Sequence, residues 1–323
     1  MSFNDLAIDL KDVQKVYRGK VHALRGVAMH VRKGEVFGLL GPNGAGKSTL
    51  VKIIMTVVRP TSVSGTVLGA PVGDKPTLAR IGYLPENHRF PRYLTGRQVL
   101  DLFSALSGLP RRGRLSRADE LLNIVGMSGW ADRKIGMYSK GMMQRIGLAQ
   151  AMMHNPDLIL LDEPTDGVDP VGRKEIRDVL LRLKQQGVSV LINSHLLSEL
   201  EMISDRVAII VNGTVARQGT LEELALGRGH FEVQIQGPLP QSVQLPEGAS
   251  IMGEIIRFDS IDVYAVQPLI DLLRTNDVAI VNLKLVRPTL EQLFMEAVME
   301  QTVAAPYTAG ANISHGFPVG VQS

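Results

Sequence analysis

The segment "GPNGAGKST", Gly41 to Thr49, carries the spacing G-x-x-x-x-G-K-[ST]. Glycines at 41, 44 and 46 let the backbone turn successive N–H groups toward one point, a nest for an anion. Lys47 adds a compact positive charge able to reach the outer phosphates of a nucleoside triphosphate, and Ser48 a hydroxyl suited to Mg2+. Two further stretches carry groups that complete such a site. In "LILLDEP" four apolar residues precede Asp162 and Glu163. A buried strand of this kind delivers its polar residues at the C-terminal end, where ligands bind in open α/β sheets. Asp162 is expected to hold Mg2+ through its waters and Glu163 to face the terminal phosphate and polarise the attacking water. In "VLINSH" His195 follows another apolar strand, which places it as a sensor of the same phosphate.

These groups act together only if strands and helices alternate around them. "GEVFGLL" is expected to be a buried strand entering the glycine loop, and "KSTLVKIIMTVV" a helix ending near Pro60, whose end of the loop offers a positive dipole to phosphate. From Glu86 to Gln144 the pattern turns helical, with Thr95 and Ser116 as expected N-caps of "TGRQVLDLFSALSGL" and "SRADELLNIVGM". Helix, buried strand, helix and strand then follow one another from "GMMQRIGLAQAMMH" to "VSVLINSH". "RVAIIVNGTVARQG" reads as a hairpin about Asn212-Gly213. The alternation predicts a mostly parallel core sheet with helices on its faces, an antiparallel β subdomain and a helical insert at about 87–145. That domain covers residues 1–225. Residues 230–300, with "HFEVQIQG", "IDVYAV", the helix "QPLIDLLRTND", the strand "AIVNLKLV" and the helix "TLEQLFMEAVME", form a small accessory α/β domain whose apolar stripes make its own core. Residues 301–323 are expected to be a mobile tail.

Composition narrows the roles. The chain has 323 residues, 45% hydrophobic, with no cysteine, so a disulfide scaffold and a Cys-ligated metal are excluded. A net charge of +3 with no extended basic stripe gives no reason to expect nucleic acid. The run "RRGRLSR" reads as a solvated face or, alternatively, as a contact for an anionic membrane surface. The apolar runs fall far short of the roughly 20 residues that cross a bilayer. The N-terminus has no apolar core of a secretion signal, so any membrane role must come through a partner.

The order of these elements resembles the ATP-binding subunit of an ATP-binding-cassette (ABC) transporter over about residues 5–225. "YSKGMMQR" stands where that family has its LSGGQ-type signature, in a variant similar to that of two-component exporters. Lys140 and Met142 depart from LSGGQ. The resemblance implies that ATP and Mg2+ are the cofactors and that Gly41, Pro42, Asn43, Gly44, Ala45, Gly46, Lys47, Ser48 and Thr49 cradle the nucleotide. It implies that Tyr17 of "KVYRG" stacks on adenine, that Glu86 of "IGYLPE" ligates Mg2+ or positions water, and that Asp169 of "DGVDP" lies near the nucleotide. Asp166 there replaces the usual Ser. Two subunits would pair head to tail, as a homodimer or with a second cassette protein, with Ser139 and Gly141 contacting phosphate across the interface. "NHRFPRYLTGR" would offer an exposed surface, including Phe90 and Tyr93, to a membrane permease. Anchoring of the insert on the core is the other reading of those aromatics. "PTLEQLF" resembles the "PSLEDVF" ending of two-component exporters. The expected function is ATP hydrolysis energising a separate permease, most simply for export, with the protein held peripherally on the cytoplasmic face of the cell membrane. Import, a soluble ATPase switch on ribosomes or nucleic acid, and a catalytically degenerate regulatory subunit are the alternatives.

Overall fold

The computed structural model describes residues 5–304. Strands β1 (Leu6–Tyr17) and β2 (Val21–Arg32) make a long antiparallel hairpin, and β3 (Val36–Leu40) leads into helix α1 (Lys47–Ile54). Next come β4 (Ser62–Val67), β5 (Ala70–Pro71) and β6 (Ile81–Leu84), then the insert helices α2 (Gly96–Leu106), α3 (Arg111–Ile124) and α4 (Lys140–Ala151). β7 (Leu158–Asp162), α5 (Pro170–Gln185), β8 (Ser189–Asn193), α6 (Leu197–Ile203), β9 (Arg206–Val211), β10 (Thr214–Gly219) and α7 (Leu221–Leu224) complete the large unit. The C-terminal portion holds β11 (His230–Ile235), β12 (Ala249–Met252), β13 (Ile255–Phe258), α8 (Gln267–Thr275), β14 (Ile280–Val286) and α9 (Leu290–Ala304).

The central sheet runs β10-β9-β3-β8-β7-β6, parallel except for β10. Every residue of β3, β7, β8 and β9 is buried, as strands covered on both faces must be, which is why they read as continuous apolar runs. A second, antiparallel sheet, β2-β1-β4-β5, packs its apolar face with α1 against one side of the central sheet. The insert helices share the core on the other side. The β9–β10 turn has Asn212 at φ 51 and Gly213 at φ 80, the left-handed pair that a two-residue hairpin needs.

Several expectations are corrected. Helix α1 ends at Ile54, well before Pro60. Thr56 turns left-handed at φ 58, and the Val57 N–H closes the end on the Lys52 carbonyl at 2.8 Å. Thr95 caps α2 in a reciprocal box with Gln98, but Ser116 caps nothing. Helix α3 starts at Arg111, breaks at Arg112 and Gly113, and passes through Ser116. Arg114 and Arg117 of the basic run are tied to Asp101 and Glu120. Phe90 is buried, edge-on to Phe103 at 5.5 Å, whereas Tyr93 is exposed. Phe90 thus anchors the insert, and Tyr93 stays exposed.

In the C-terminal portion "IDVYAV" is a turn, with Val263 and Tyr264 exposed. The strands that pair there are β12 and β13, which turn at Gly253, φ 62. Leu269, Ile270 and Leu273 of α8 cover Phe231, Val233 and Ile256 in a separate small core. Helix α9 leaves that core. Leu290 and Ala297 join the core of the large unit, and the helix packs on α6, β9 and β10. Arg217 on β10 holds Glu296 at 3.4 Å and Glu300 at 2.5 Å, and Arg228 also pairs with Glu296. A fully buried leucine contributes about 1.5–3 kcal/mol, so Leu290 helps fix α9 on the large unit. The helix runs to Ala304, so the expected tail begins no earlier than residue 305, outside the described residues.

Candidate functional site

Strands β3, β8 and β7 are neighbours, and each ends at a segment that carries chemistry. β3 opens into the glycine loop, β7 ends on Asp162, and β8 ends on Asn193, directly opposite Asp162 in register. Gly44 and Gly46 sit at φ 80 and 105, and a Cβ on Gly46 would strike the Ala23 carbonyl. The loop therefore passes tightly beneath β2 and then starts α1, whose first turn has no side-chain cap. Its free N–H groups are a ready anion site.

Lys47 is buried, and its ammonium donates to the carbonyls of Gly41 at 2.6 Å and Pro42 at 3.2 Å. Burial pushes its pKa down, while Glu163 and Asp162 oppose that shift. Ser48 donates to Asp162 Oδ1 at 3.3 Å. Asn193 Nδ2 donates to the same oxygen and to Ser48 Oγ, the latter at 3.4 Å. Burial pushes the Asp162 pKa up, and the bonds from Asn193 and Ser48 work against it. The side-chain oxygen of Asn193 is buried without a hydrogen-bond partner. A hydroxyl and a carboxylate meeting beside an unpartnered amide oxygen form an all-oxygen donor set that fits Mg2+.

Glu163 adopts φ 54, rare for a side chain with a Cβ, and is held there by its N–H bond to the Asn193 carbonyl at 2.8 Å. Such strain costs on the order of 1 kcal/mol and concentrates at functional sites. The Glu163 carboxylate lies 2.7 Å from Nδ1 of His195 and accepts from the His195 N–H at 3.4 Å. An ionised Glu163 draws the imidazole proton to Nδ1, which leaves Nε2 for another partner. Burial raises the Glu163 pKa, and His195 opposes the rise.

A cavity of about 440 Å³ collects these groups. Asn43, Gly44, Ala45, Gly46, Lys47, Ser48 and Thr49 line one side, and Glu86, Glu163, Asn193 and His195 the other. Asp162 lies behind Ser48, and Gly41 and Pro42 lend their carbonyls to Lys47. Tyr17 stands at the edge, its hydroxyl 3.5 Å from Thr49 Oγ1 and its ring under Lys15. Tyr83, behind Glu86, has its pKa pushed up to about 12 by burial, Asp162 and Glu86.

Ser139, Gly141 and Asp169 do not line this cavity. Ser139 caps α4 through the Met142 N–H at 3.3 Å, Asp169 caps α5, and Gly141 rests near Val168. Met142 is buried in the core of the insert, which accounts for an apolar residue there.

Two features escaped the sequence reading. Asn193 had no signal beyond its place at a strand end. Lys140 and Asp166, two departures from the family pattern, form an ion pair at 2.6 Å, and Asp166 lines the cavity. Their opposite signs were the available clue. Beside the cavity, His88 lies 3.2 Å from the Pro85 carbonyl and 3.1 Å from the Met143 carbonyl, linking the Glu86 loop to α4. Next to it a groove of about 700 Å³ opens between β6 and α2, over Phe90 and Phe103.

A phosphate nest, a buried lysine and a carboxylate–histidine pair on adjacent parallel strand ends define a P-loop nucleotide-binding protein. The ABC transporter family model matches residues 24–166. An uncharacterised ABC transporter ATP-binding protein of Synechocystis is 36% identical over 309 residues, 92% of this chain and 86% of the relative. The doxorubicin resistance ATP-binding protein DrrA of Mycobacterium tuberculosis is 38% identical over 227 residues, 69% of each chain. A bacterial ABC transporter cassette solved as a dimer matches with TM-score 0.60 and 27% identity over 66% of this chain and 98% of that one. The chain belongs to the ATP-binding subunits of ABC transporters.

Proposed function

We propose that this chain hydrolyses ATP to drive a separate membrane permease in the direction of export. The observation that carries the reading is the convergence of Lys47, Ser48, Glu163 and His195 on one cavity, with Asp162 held behind it by Asn193. Phosphates entering the nest meet the free N–H groups of the first turn of α1. Lys47 exchanges the carbonyls of Gly41 and Pro42 for phosphate oxygens. Ser48 and Asp162 would hold Mg2+, which when bound would neutralise charge on the outer phosphates. Glu163 orients a water and takes its proton as the water oxygen bonds to the terminal phosphorus and the bridging oxygen leaves with ADP. His195, positioned by Glu163, faces the terminal phosphate, and Glu86 closes the cavity from the insert side.

Ser139, Gly141 and Asp169 lie away from their own cavity, which supports a role against the nucleotide of a second subunit, and a related cassette is dimeric. The groove over Phe90, with Tyr93 exposed nearby, suits a permease segment. Among the described residues no helix is long and apolar enough to cross a membrane, in keeping with a peripheral subunit on the cytoplasmic face. Export is supported by the variant signature, by "PTLEQLF" and by the drug-resistance relative.

Two experiments test the reading. Glu163→Gln is expected to keep ATP binding while turnover falls by about 10²–10⁴-fold; turnover equal to wild type removes Glu163 from its role. Gentle solubilisation of native membranes followed by mass spectrometry of what co-purifies is expected to find a polytopic permease. Ribosomal proteins in its place would sink the transport reading and leave the ATPase chemistry standing.

A further inference from the structure

The turn between β9 and β10 meets the phosphate loop outside the cavity. Gly213, at the tip, donates its N–H to the Ala45 carbonyl at 3.1 Å, and its own carbonyl accepts the Arg25 N–H of β2 at 2.8 Å. The backbones approach closely here. A Cβ on Gly213 would sit 2.8 Å from the Ala23 carbonyl, a Cβ on Gly46 would strike the same carbonyl, and one on Gly41 would strike that of Ile210. Gly213 holds φ 80, and the Thr214 hydroxyl closes the turn on the Val211 carbonyl at 3.0 Å. Neither Asn212 nor Gly213 lines the cavity, so the hairpin reaches the loop from behind.

A trans peptide is planar, so its C=O and N–H point in opposite directions. The Ala45–Gly46 peptide is trans. With the Ala45 carbonyl turned to the hairpin, the Gly46 N–H must turn away from it. That N–H donates to no backbone carbonyl among the described residues, and Gly46 lines the cavity. Gly46 sits at φ 105, and a glycine accepts either sign of φ. The tight approach to Ala23 requires a glycine at 46, and the same glycine leaves the peptide before it free to turn. A rotated Ala45–Gly46 peptide would present a carbonyl oxygen where phosphate binds.

We propose that Gly213 is a positioning residue for ATP: its N–H holds the Ala45 carbonyl out of the cavity and so directs the Gly46 N–H at the phosphates. The inference rests on the assignment of this loop as the phosphate site. The Arg25 bond serves the same end, because it fixes the carbonyl side of Gly213 on β2 and keeps the donor from swinging off the loop. ATP binds the held orientation, so any fraction of molecules with the peptide rotated lowers the apparent affinity in proportion. At saturating ATP every molecule has the held orientation. The clamp therefore acts on KM and not on kcat.

The test replaces Gly213 in the full-length protein with glycolic acid, which exchanges the N–H for an ester oxygen and keeps the planar, trans linkage. The same exchange at Gly253, a left-handed glycine in the β12–β13 turn, is the control. One ordinary hydrogen bond shifts an equilibrium by up to about 10-fold, so KM and Kd for ATP and ADP should rise several-fold toward that limit. Turnover at saturating ATP should equal that of the control. A merely structural bond would lower the melting temperature and leave the affinity of the folded protein alone. Unchanged Kd in the folded Gly213 ester overturns the proposal, and so does a loss of turnover at saturating ATP. A second measurement needs no variant. In nucleotide-free wild-type protein the Gly213 amide should exchange with solvent more slowly than the Gly46 amide, and equal exchange overturns the clamp. Lys47→Ala, measured alongside, separates this proposal from the assignment beneath it. Loss of ATP binding in Lys47→Ala with none in the ester sinks the clamp alone, and full ATP binding in both sinks the phosphate site with it.

Discussion

Replacing Asn193 with Leu tests whether the end of β8 holds the metal carboxylate. The two side chains are similar in size, so Asn193→Leu removes the donor without opening a cavity at a site that is almost wholly buried. Asp162 Oδ1 then keeps the hydroxyl of Ser48 at 3.3 Å and loses its amide partner, while Ser48 loses the 3.4 Å bond. A hydrogen bond to an ionised group contributes about 1.5–3 kcal/mol, and the long bond to Ser48 adds little. The anionic, metal-binding form of Asp162 should therefore weaken by roughly 10–150-fold.

The loss should fall on Mg2+ and not on the phosphate nest, because the loop N–H groups and Lys47 do not touch Asn193. The assay is ATP turnover against free Mg2+, paired with binding of a fluorescent ATP analogue in EDTA. Half-saturating Mg2+ should rise, most at low pH and by no more than about 150-fold, while Mg2+-free nucleotide affinity stays put. A folded Asn193→Leu protein with unchanged Mg2+ dependence refutes the reasoning. Equal loss of Mg2+-free binding also refutes it, since the effect would then be a collapse of the loop.

Burial lowers the pKa of His154, and burial together with Arg206 lowers that of His30. Below the ordinary imidazole value of 6.5 the unfolded chain takes up these protons first, so stability should fall as pH drops from about 7.5 to about 5.5. His154→Gln should flatten part of that slope in thermal melts, and an unchanged slope would remove His154 as a cause. Gly147→Ala should lower the melting temperature. Its Cβ would sit 2.5 Å from Leu84 and 3.1 Å from His88, and overpacking at about 1–3 kcal/mol outweighs the roughly 1 kcal/mol helix gain. A rise in the melting temperature would show that the Glu86 loop packs more loosely. Lys140→Ala should weaken ATP binding, more so at low salt, by leaving Asp166 bare at the cavity, and Asp166→Ser should rescue it. Equal ATP affinity in all three proteins would disconnect the pair from the nucleotide.

The phosphate loop was legible because its chemistry is local. Glycine spacing, a lysine and a hydroxyl are consecutive, and the buried strand before them announces itself as an apolar run. Asp162, Glu163 and His195 were legible for the same reason, since a strand buried on both faces leaves little doubt about where its polar end lies. Asn193 was not, because an amide two residues before a histidine acquires its role only when β7 is set beside β8. The accessory region was only partly legible, where pattern and pairing part. "IDVYAV" alternates like a strand but has no neighbour to pair with. "ASIM" and "IIRF" pair through Gly253, although neither has a strong period. Helix α9 shows the limit from the other side. Its apolar stripe was visible, but the surface it covers is set by α6 and β9, far away in sequence.

The departures from the family pattern follow one logic. A lysine in the signature and an aspartate near the nucleotide each look damaging alone: one adds a bulky cation at a glycine position, the other a negative charge beside phosphates. Joined at 2.6 Å they cancel. Both side chains are about half exposed, so the pair contributes at most about 1 kcal/mol to stability. Folding alone is thus a weak reason for the pairing. Its consequence is electrostatic and lies at the cavity wall, where Asp166 without Lys140 would repel ATP. Met142 completes the argument. Its side chain is buried in the insert core, so the start of α4 is held by packing where a glutamine would hold it by polar contact. The variant signature is therefore a linked set, and replacing one member with the common family residue should do more harm than replacing Lys140 and Asp166 together.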